Sequence, residues 1–182
     1  MRIVDLVAAN VDEVPCDFLP ERPGACRVCL RWESPAAFVH SESSTELPDR
    51  RQWYAQVFKE FGACGKLAYA DEALVGWIRY APAIFFEEAF DFYKYPVPPY
   101  PDIPFIACLL VAPARRGQGI GTALLEATVE DLKARRFNGV ETIVRQPGQG
   151  EVHPSGPMDF YLHRGFFVRR DDSVFPLLRR QF

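Results

Sequence analysis

The chain has 182 residues, of which 48% are hydrophobic and 25% charged, a composition typical of a globular protein with a sizeable core. Its net charge of −3 and pI near 5.7 argue against a nucleic-acid-binding protein, which would normally present a basic face. The sequence shows neither an apolar N-terminal leader nor an apolar run of membrane-spanning length. We therefore expect a cytoplasmic protein that binds neither membranes nor nucleic acid.

The first half of the chain predicts a strand, a helix and a hairpin. Residues 2–7, "RIVDLV", alternate as a strand does, and the proline-containing stretch that follows reads as loops. In "TELPDRRQWYAQVFKEFG" the apolar residues Trp53, Val57 and Phe61 recur every four positions, which predicts a helix. "GKLAYAD" and "ALVGWIRYAP" predict two strands joined by a tight turn at Asp71–Glu72.

The second half alternates strands and helices. Residues 82–104 form an insertion rich in aromatic residues and proline, too proline-dense for a central strand. "FIACLLVA" is a continuous apolar run, as expected of a strand covered on both faces. A helical period runs from Ile120 to about residue 137, and "VETIV", "PMDFYLHRG", "FFVRR" and "VFPLLRRQF" predict a strand, a short helix and two closing strands. The pattern predicts a mixed α/β sheet in one domain, residues 1–182.

A glycine-rich turn lies between the apolar strand and the long helix, in "LLVAPARRGQGIGTALL". A helix N-terminus has unpaired N–H groups and partial positive charge, and glycines let these groups approach an anion closely. A P-loop is excluded because no lysine stands at the helix start. A dinucleotide fingerprint would lose its third glycine at Thr122, and Glu141 lies too early in its strand to bind the ribose.

A third phosphate-binding motif fits the glycine turn. Residues 116–121, "RGQGIG", match the R/Q-x-x-G-x-G/A motif, and "DFYLHRGFF" matches an F-Y-x-x-x-G-F element. In these elements, and over residues 65–170, the chain resembles the GNAT superfamily of acyl-CoA N-acyltransferases. The resemblance implies an α/β (α+β) fold with a mixed, mostly antiparallel sheet, helices on both faces, and splayed fourth and fifth strands. Residues 1–64 would then contribute to the acceptor side, and residues 65–182 would form the acyl-CoA-binding core.

The same resemblance implies an N-acetyltransferase that uses acetyl-CoA as co-substrate, with no metal, and acts as a monomer or homodimer. The acceptor would be a primary amine of a small molecule, an amino-acid derivative or a peptide. Backbone groups of Leu110 and Val111 would pair with the pantetheine arm as another strand would. The pyrophosphate would be held by the amides of the turn, namely Arg116, Gly117, Gln118, Gly119, Ile120, Gly121 and Thr122.

The resemblance also implies Tyr161 as the acid that protonates the leaving thiolate, because a phenol with pKa near 10 is still protonated when the thiolate forms. The N–H of Val111 is the expected oxyanion donor. The general base is less clear, because "PFIACLLV" contains no carboxylate. Glu141 is the first candidate and His153 the second; Cys108 and a chain of water molecules are further alternatives.

Two other functions stay open at this point. The missing carboxylate also fits a non-catalytic module that binds or senses acyl-CoA. A thiol or metal-dependent protein on the same scaffold would use Cys16, Cys26, Cys29 and Cys64, although only the C-x-x-C at 26–29 has metal-site spacing. Aromatic and acidic residues of the insertion could attract a cationic amine, or they could simply pack on the sheet or form a dimer contact.

Overall fold

The computed structural model describes residues 1–14, 32, 48–86, 89–90, 103–148 and 153–182. Seven strands form one sheet in the order β1-β2-β3-β4-β5-β7-β6. The strands are β1 Arg2–Asp5, β2 Gly65–Ala70, β3 Ala73–Pro82, β4 Pro104–Val111, β5 Gly139–Ile143, β6 Phe167–Arg170 and β7 Leu177–Gln181. The α-helices are α1 Pro48–Glu60, α2 Ile120–Ala134 and α3 Met158–Leu162, and short 3-10 turns occupy Val11–Glu13, Ala83–Phe86 and Pro113–Arg115.

The sheet is antiparallel except between β4 and β5, which run parallel. The β2–β3 hairpin turns at Asp71 and Glu72, whose φ values of 51° and 62° suit the twist of a two-residue hairpin turn. The predicted mixed, mostly antiparallel sheet is therefore confirmed.

A β-bulge in β4 separates this strand from β5. Arg79 of β3 faces Cys108, and the next residue of β3, Tyr80, faces Ile106, so Ala107 is the extra residue on β4. The pairing of β4 with β5 joins Phe105 to Glu141 and Ile106 to Thr142, just before the bulge. From Ala107 onward the two strands separate, which confirms the splay that the sequence implied.

The core lies on both faces of the sheet. On the α2 face, residues of α2 and α3 such as Leu124, Leu125 and Tyr161 pack against β-strand residues. On the α1 face, Tyr54 and Val57 of α1 pack with Trp32 and Trp77. Both residues at the bulge, Ala107 and Cys108, belong to the α1 face. Helices thus cover both faces, as predicted.

The helix predictions are confirmed with small changes at the ends. The long helix ends at Ala134 rather than near residue 137, and Arg136 follows it with φ of 63°. Much of the N-terminal loop region and of the 82–104 insertion lies outside the described residues. Among the helices that the structure describes, none is long and apolar enough to cross a membrane.

Candidate active site

A cavity of about 490 Å³ opens between the end of β4 and the start of α2. Its walls come from β4, the glycine turn, the start of α2, the loop before α3, and α3 with the residues after it. The lining residues are Leu109, Leu110, Val111, Arg115, Arg116, Gly117, Gly119, Ile120, Gly121, Thr122, His153, Gly156, Pro157, Phe160 and Arg164. Eight of the nine predicted cofactor-binding residues are in this set; Gln118 is not, and its side-chain amide donates to the carbonyl of Ala114 at 3.3 Å.

The glycine turn leaves the N-terminus of α2 without a side-chain cap. Gly119 is the N-cap residue, with a left-handed φ of 82°, and Gly117 has φ of 76°. A Cβ at Gly119 would have no protein atom within 4 Å, so this position requires glycine because of its backbone conformation. The N–H groups of the first turn therefore remain available to an anion.

Three arginines surround this helix end, and no acidic residue lines the cavity in the described part of the chain. Arg116 Nε donates to the carbonyl of Val111 at 3.2 Å. Arg164 donates to the Thr122 hydroxyl and to the carbonyl of Phe160, and its guanidinium lies 4.0 Å from the centroid of the Phe160 ring. Arg115 approaches Asp71 to 3.7 Å at the surface. The cavity is therefore an electropositive site suited to phosphate groups.

The backbone of β4 presents N–H groups to this cavity at every second residue. The amide of Ala112 donates to Val75 of β3 at 2.9 Å, so by alternation Leu110 also points its N–H to β3. Leu109 and Val111 point theirs away from β3, towards the opening beside β5. Leu110 also lines the cavity, although its N–H points to β3. Val111 is the residue whose N–H is directed to the opening that a pantetheine arm would follow.

Residues 153–157, here called the crossing segment, bridge the opening between the separated strands. The carbonyl of Pro154 accepts a 2.9 Å hydrogen bond from the N–H of Leu109 on β4. On the other side, the Ser155 hydroxyl donates to the carbonyl of Ile143 on β5 at 2.7 Å, and Pro157 forms a parallel bridge with Arg145. The opening is therefore closed at the level of Leu109.

His153, the second candidate base, stands at the start of the crossing segment. The residue lines the cavity and is largely buried, with a relative exposure of 8%. The ring stacks on Trp32 at 6.2 Å between centroids and packs against Phe175 at 5.9 Å. Because Trp32 and Phe175 belong to the α1-face cluster, His153 lies where the cavity meets that face.

Tyr161, the predicted acid, is completely buried between β4 and β5. Its hydroxyl donates to the carbonyl of Ser155 at 2.5 Å. Burial raises the pKa of Tyr161 well above its usual value; a hydrogen bond with Thr142 of β5 opposes this rise, and the nearby Cys108 of β4 adds to it. The hydroxyl thus lies in the gap between the two strands, beneath the crossing segment and outside the set of cavity-lining residues.

Glu141, the first candidate base, lies on β5 opposite Phe105 and is 2% exposed. Successive side chains of a strand point to opposite faces, so Glu141 faces away from Thr142 and lies on the α1 face with Ile143. Its carboxylate is 3.7 Å from Arg179 Nη1 on β7. The structure therefore does not bring Glu141 and the glycine turn to the same cavity.

The cysteines show no metal site within the described residues. Cys108 is buried, with its sulfur 3.8 Å from Arg79 Nη2, and Cys64 is buried in the α1-face cluster. Across the described part of the chain, no group of three or more His, Cys, Asp or Glu residues is arranged to hold a metal. Cys16, Cys26 and Cys29 lie outside that part.

Comparison with known proteins gives the family. A family model described as "Acetyltransferase (GNAT) family" matches residues 27–166, which is most of the chain. The chain belongs to the GNAT acetyltransferase family. No protein with a curated description matches its sequence significantly.

Solved structures show the same fold at low sequence identity. The ribosomal-protein-alanine N-acetyltransferase of Brucella melitensis aligns with a TM-score of 0.61, 16% identity and 100% coverage of both chains. The PaiA N-acetyltransferase of Thermoplasma acidophilum, solved in complex with coenzyme A, aligns with a TM-score of 0.57 and 15% identity over 100% of this chain and 98% of that one. An aminoglycoside 6'-acetyltransferase type Ii has a TM-score of 0.58 and 15% identity, over 100% of this chain and 97% of that one.

Sequence reasoning missed part of this GNAT site. Phe160 and Arg164 lie in "DFYLHRGFF" with Tyr161, but the motif does not indicate that either of them lines the cofactor cavity. Gly156 and Pro157 lie in a loop whose path the sequence does not indicate. The one available signal for Arg164 was a basic residue at an unspecified position inside the F-Y-x-x-x-G-F element, and basic residues are common on solvated surfaces.

Proposed function

We propose that this acetyltransferase moves the acetyl group of acetyl-CoA to a primary amine of a small molecule, an amino-acid derivative or a peptide. The observation that carries the proposal is the cavity itself. There the uncapped N-terminus of α2 and three arginines adjoin the edge of β4 that β5 leaves open.

The residues present suit acetyl-CoA. Amides of the turn would hold the pyrophosphate, and Arg116 and Arg164 would add charge-assisted hydrogen bonds. The amides in question are those of Arg116, Gly117, Gln118, Gly119, Ile120, Gly121 and Thr122. The pantetheine arm would extend along β4, with Val111 as its hydrogen-bonding partner and Leu110 contributing contact.

Acetyl transfer requires stabilisation of the tetrahedral oxyanion and a proton for the departing thiolate. We assign the first role to the N–H of Val111 and the second to Tyr161. The Tyr161 hydroxyl lies in the gap between β4 and β5, beneath the crossing segment at which the arm would end, and its hydrogen bond to the Ser155 carbonyl of that segment supports this assignment. To act as the acid, the hydroxyl would give up its hydrogen bond to the Ser155 carbonyl and donate its proton to the sulfur of the thiolate. Glu141 stays a candidate base from the sequence.

The acceptor is expected on the α1 face, opposite the helix that holds the phosphates. Trp53, Phe85 and Phe86 form an aromatic group there, in which Trp53 Nε1 donates to the carbonyl of Phe85 at 3.0 Å. The predicted acidic residues of the insertion (Glu87, Glu88, Asp91 and Asp102) and its aromatic residues Phe92, Tyr93, Tyr95 and Tyr100 lie outside the described residues. Their attraction for a cationic amine, cytoplasmic localisation and a monomeric or homodimeric state remain predictions.

Release of free thiol from acetyl-CoA tests the proposal. The panel of acceptors would contain spermidine, L-phenylalaninamide, a tripeptide with a free N-terminus and an aminoglycoside. The matched control is Gly119→Val, which is expected to disturb the amides of the turn and remove cofactor binding. Wild-type turnover above that control supports the proposal. Equal thiol release by the two proteins on every amine, together with no calorimetric binding of acetyl-CoA, contradicts it.

A further inference from the structure

We propose that the crossing segment sets the length of the acyl group that the enzyme transfers. Acetyl and propionyl groups fit in front of this segment, and butyryl or longer groups do not. The residues that carry this selection are Pro154, whose carbonyl forms the stop, and Ser155, which anchors the stop to β5. The inference rests on the proposed acetyltransferase function and identifies the element that selects the acyl donor at the same site.

The stop lies on the strand that the pantetheine arm would follow. The N–H groups of Leu109 and Val111 both point to the opening, two residues apart on β4. The N–H of Leu109 is occupied, because it donates to the carbonyl of Pro154 at 2.9 Å. In the proposed function the thioester carbonyl pairs with the N–H of Val111. The acyl chain, which continues in the direction of the arm, then points at the Pro154 carbonyl.

The rise of a β-strand gives the room between the thioester and the stop. Two residues of strand span about 6.7 Å, which separates the level of Val111 from the level of Leu109. A carbon atom and a carbonyl oxygen in contact stay about 3.5 Å apart, so about 3.2 Å remains for the acyl chain. Each carbon of an extended chain adds about 1.3 Å. Two carbons beyond the thioester carbon therefore fit, a third does not, and propionyl is the longest group that the gap accepts.

The crossing segment is anchored to β5 and backed by buried residues. The Ser155 hydroxyl donates to the carbonyl of Ile143 at 2.7 Å, and the Tyr161 hydroxyl donates to the carbonyl of Ser155 at 2.5 Å. Ile143 and Tyr161 are both completely buried. The bridge between Pro157 and Arg145 holds the other end of the segment. A longer acyl chain would therefore have to break these contacts to push the stop back.

The backbone of the segment forms a tight turn. The N–H of Gly156 donates to the carbonyl of His153 at 2.8 Å, which closes a four-residue turn. The ring of Pro154 fixes φ at the second position, and Gly156 has a left-handed φ of 94°. His153 and Pro157 line the cavity on either side of the stop, so a chain that turns aside at Pro154 meets the same segment.

The first test compares acyl donors on the wild-type enzyme. Acetyl-, propionyl-, butyryl- and hexanoyl-CoA are titrated by calorimetry, with free CoA as the reference. The kcat/KM of each donor is measured by thiol release, with the panel amine that the wild type uses fastest with acetyl-CoA.

We expect a step between propionyl-CoA and butyryl-CoA. The kcat/KM for propionyl-CoA should stay within about tenfold of that for acetyl-CoA, and the value for butyryl-CoA should fall a further 10- to 200-fold or so, the usual effect of one methylene too many in a closed pocket. Butyryl- and hexanoyl-CoA should bind no more tightly than free CoA. A site without a stop would bind the longer chains more tightly, because they bury more apolar surface.

The second test loosens the stop without removing its carbonyl. Ser155→Ala removes the anchor to Ile143, and Pro154→Gly frees φ in the turn. Each variant should raise the ratio of kcat/KM for butyryl-CoA to that for acetyl-CoA about three- to tenfold, as expected from the loss of one hydrogen bond or of one backbone restraint. General damage to the enzyme lowers both values and cancels in this ratio.

Thr128→Val is the matched control. It removes another buried hydroxyl, whose hydrogen bond to the carbonyl of Leu124 at 2.9 Å lies within α2 and away from the cavity wall. Its butyryl-to-acetyl ratio should equal that of the wild type.

Two results would overturn the inference alone: a wild type that uses butyryl-CoA as well as propionyl-CoA, or a ratio that neither Ser155→Ala nor Pro154→Gly changes. A wild type that releases no more thiol from acetyl-CoA than Gly119→Val overturns the proposed function and the inference with it.

Discussion

The side chain of Arg164 donates two hydrogen bonds to the hydroxyl of Thr122, from Nε at 3.1 Å and from Nη2 at 2.7 Å. A third, from Nη1, reaches the carbonyl of Phe160 at 2.6 Å. These contacts join Arg164, in the segment between α3 and β6, to the first turn of α2, 42 positions earlier in the chain. They hold a guanidinium beside a helix end that already favours anions.

We predict that Arg164→Gln weakens acetyl-CoA binding about 10- to 100-fold, as expected from the loss of about 1.5–3 kcal/mol for a hydrogen bond to a charged group. Calorimetric titration with acetyl-CoA measures the change. The matched control is Arg169→Gln on β6, an exposed arginine that does not line the cavity. Equal affinity in the two variants would remove Arg164 from the cofactor site.

A second prediction compares two glycines with the same backbone conformation. Gly62 at the end of α1 has φ of 86° and Gly119 has φ of 82°, and a Cβ at either position would meet no atom within 4 Å. Alanine at each should cost about 1–2 kcal/mol of stability in urea unfolding, because both residues are left-handed. Only Gly119→Ala should also lower the acetyl-CoA affinity, by about tenfold or more. If the Gly62 variant loses as much affinity, the effect reflects stability and the turn has no special role.

The sequence was sufficient for the sheet and for the glycine turn because both depend on local patterns. The hairpin at Asp71–Glu72 follows from a tight turn between alternating segments, and the helix from Ile120 follows from its apolar period. Gly117 and Gly119 could be identified because few other residues adopt their conformation.

The sequence could not predict which β4 amides face the opening. The bulge at Ala107 places Ala107 and Cys108 on the same face, and no residue type marks that change in alternation. The sequence prediction named backbone groups of Leu110 and Val111 as partners of the arm; in the structure, the N–H groups of Leu109 and Val111 are directed to the opening, and that of Leu110 points to β3. The contact of Pro154 with Leu109 is equally invisible, because it joins two distant segments through main-chain atoms alone.

The third prediction concerns stability at alkaline pH. Burial raises the pKa of Tyr80 well above 10, and the hydrogen bond of its hydroxyl to Asp131 at 2.8 Å adds to this rise. Burial also raises the pKa of Tyr161. In the unfolded chain both ionise near pH 10, so above that pH the unfolded state binds fewer protons than the native state. Their stabilising contribution is complete below pH 10 and is lost as the pH rises.

Unfolding in urea at pH 8, 10 and 11 measures this loss. Each of the two tyrosines should contribute a slope of about 1.4 kcal/mol per pH unit above pH 10. Tyr80→Phe should remove its share of that slope, although it is expected to be less stable than the wild type at pH 8 because a buried hydrogen bond is lost. An unchanged slope in Tyr80→Phe would contradict the prediction, since lysines and surface groups titrate equally in both proteins.

The last prediction tests Tyr161 as the acid. Tyr161→Phe removes one hydroxyl and keeps the ring, which packs edge-on against Phe160 and Phe166 at 5.0 Å between centroids. Loss of the bond to the Ser155 carbonyl should cost about 1 kcal/mol of stability. If the hydroxyl protonates the thiolate, kcat should fall about 10²-fold, and kcat/KM should fall in proportion while KM stays nearly constant.

Tyr80→Phe is the matched control, because it removes another buried tyrosine hydroxyl on the α2 face away from the cavity. Its stability should fall with little change in kcat. Because burial holds the pKa of Tyr161 high, the wild-type enzyme should show no loss of activity from this group below about pH 10. Thiol release measured from pH 7 to 10 separates the outcomes. A Tyr161→Phe enzyme as active as Tyr80→Phe would make Tyr161 a residue that supports the crossing segment, and the thiolate would then take its proton from water or from the attacking amine.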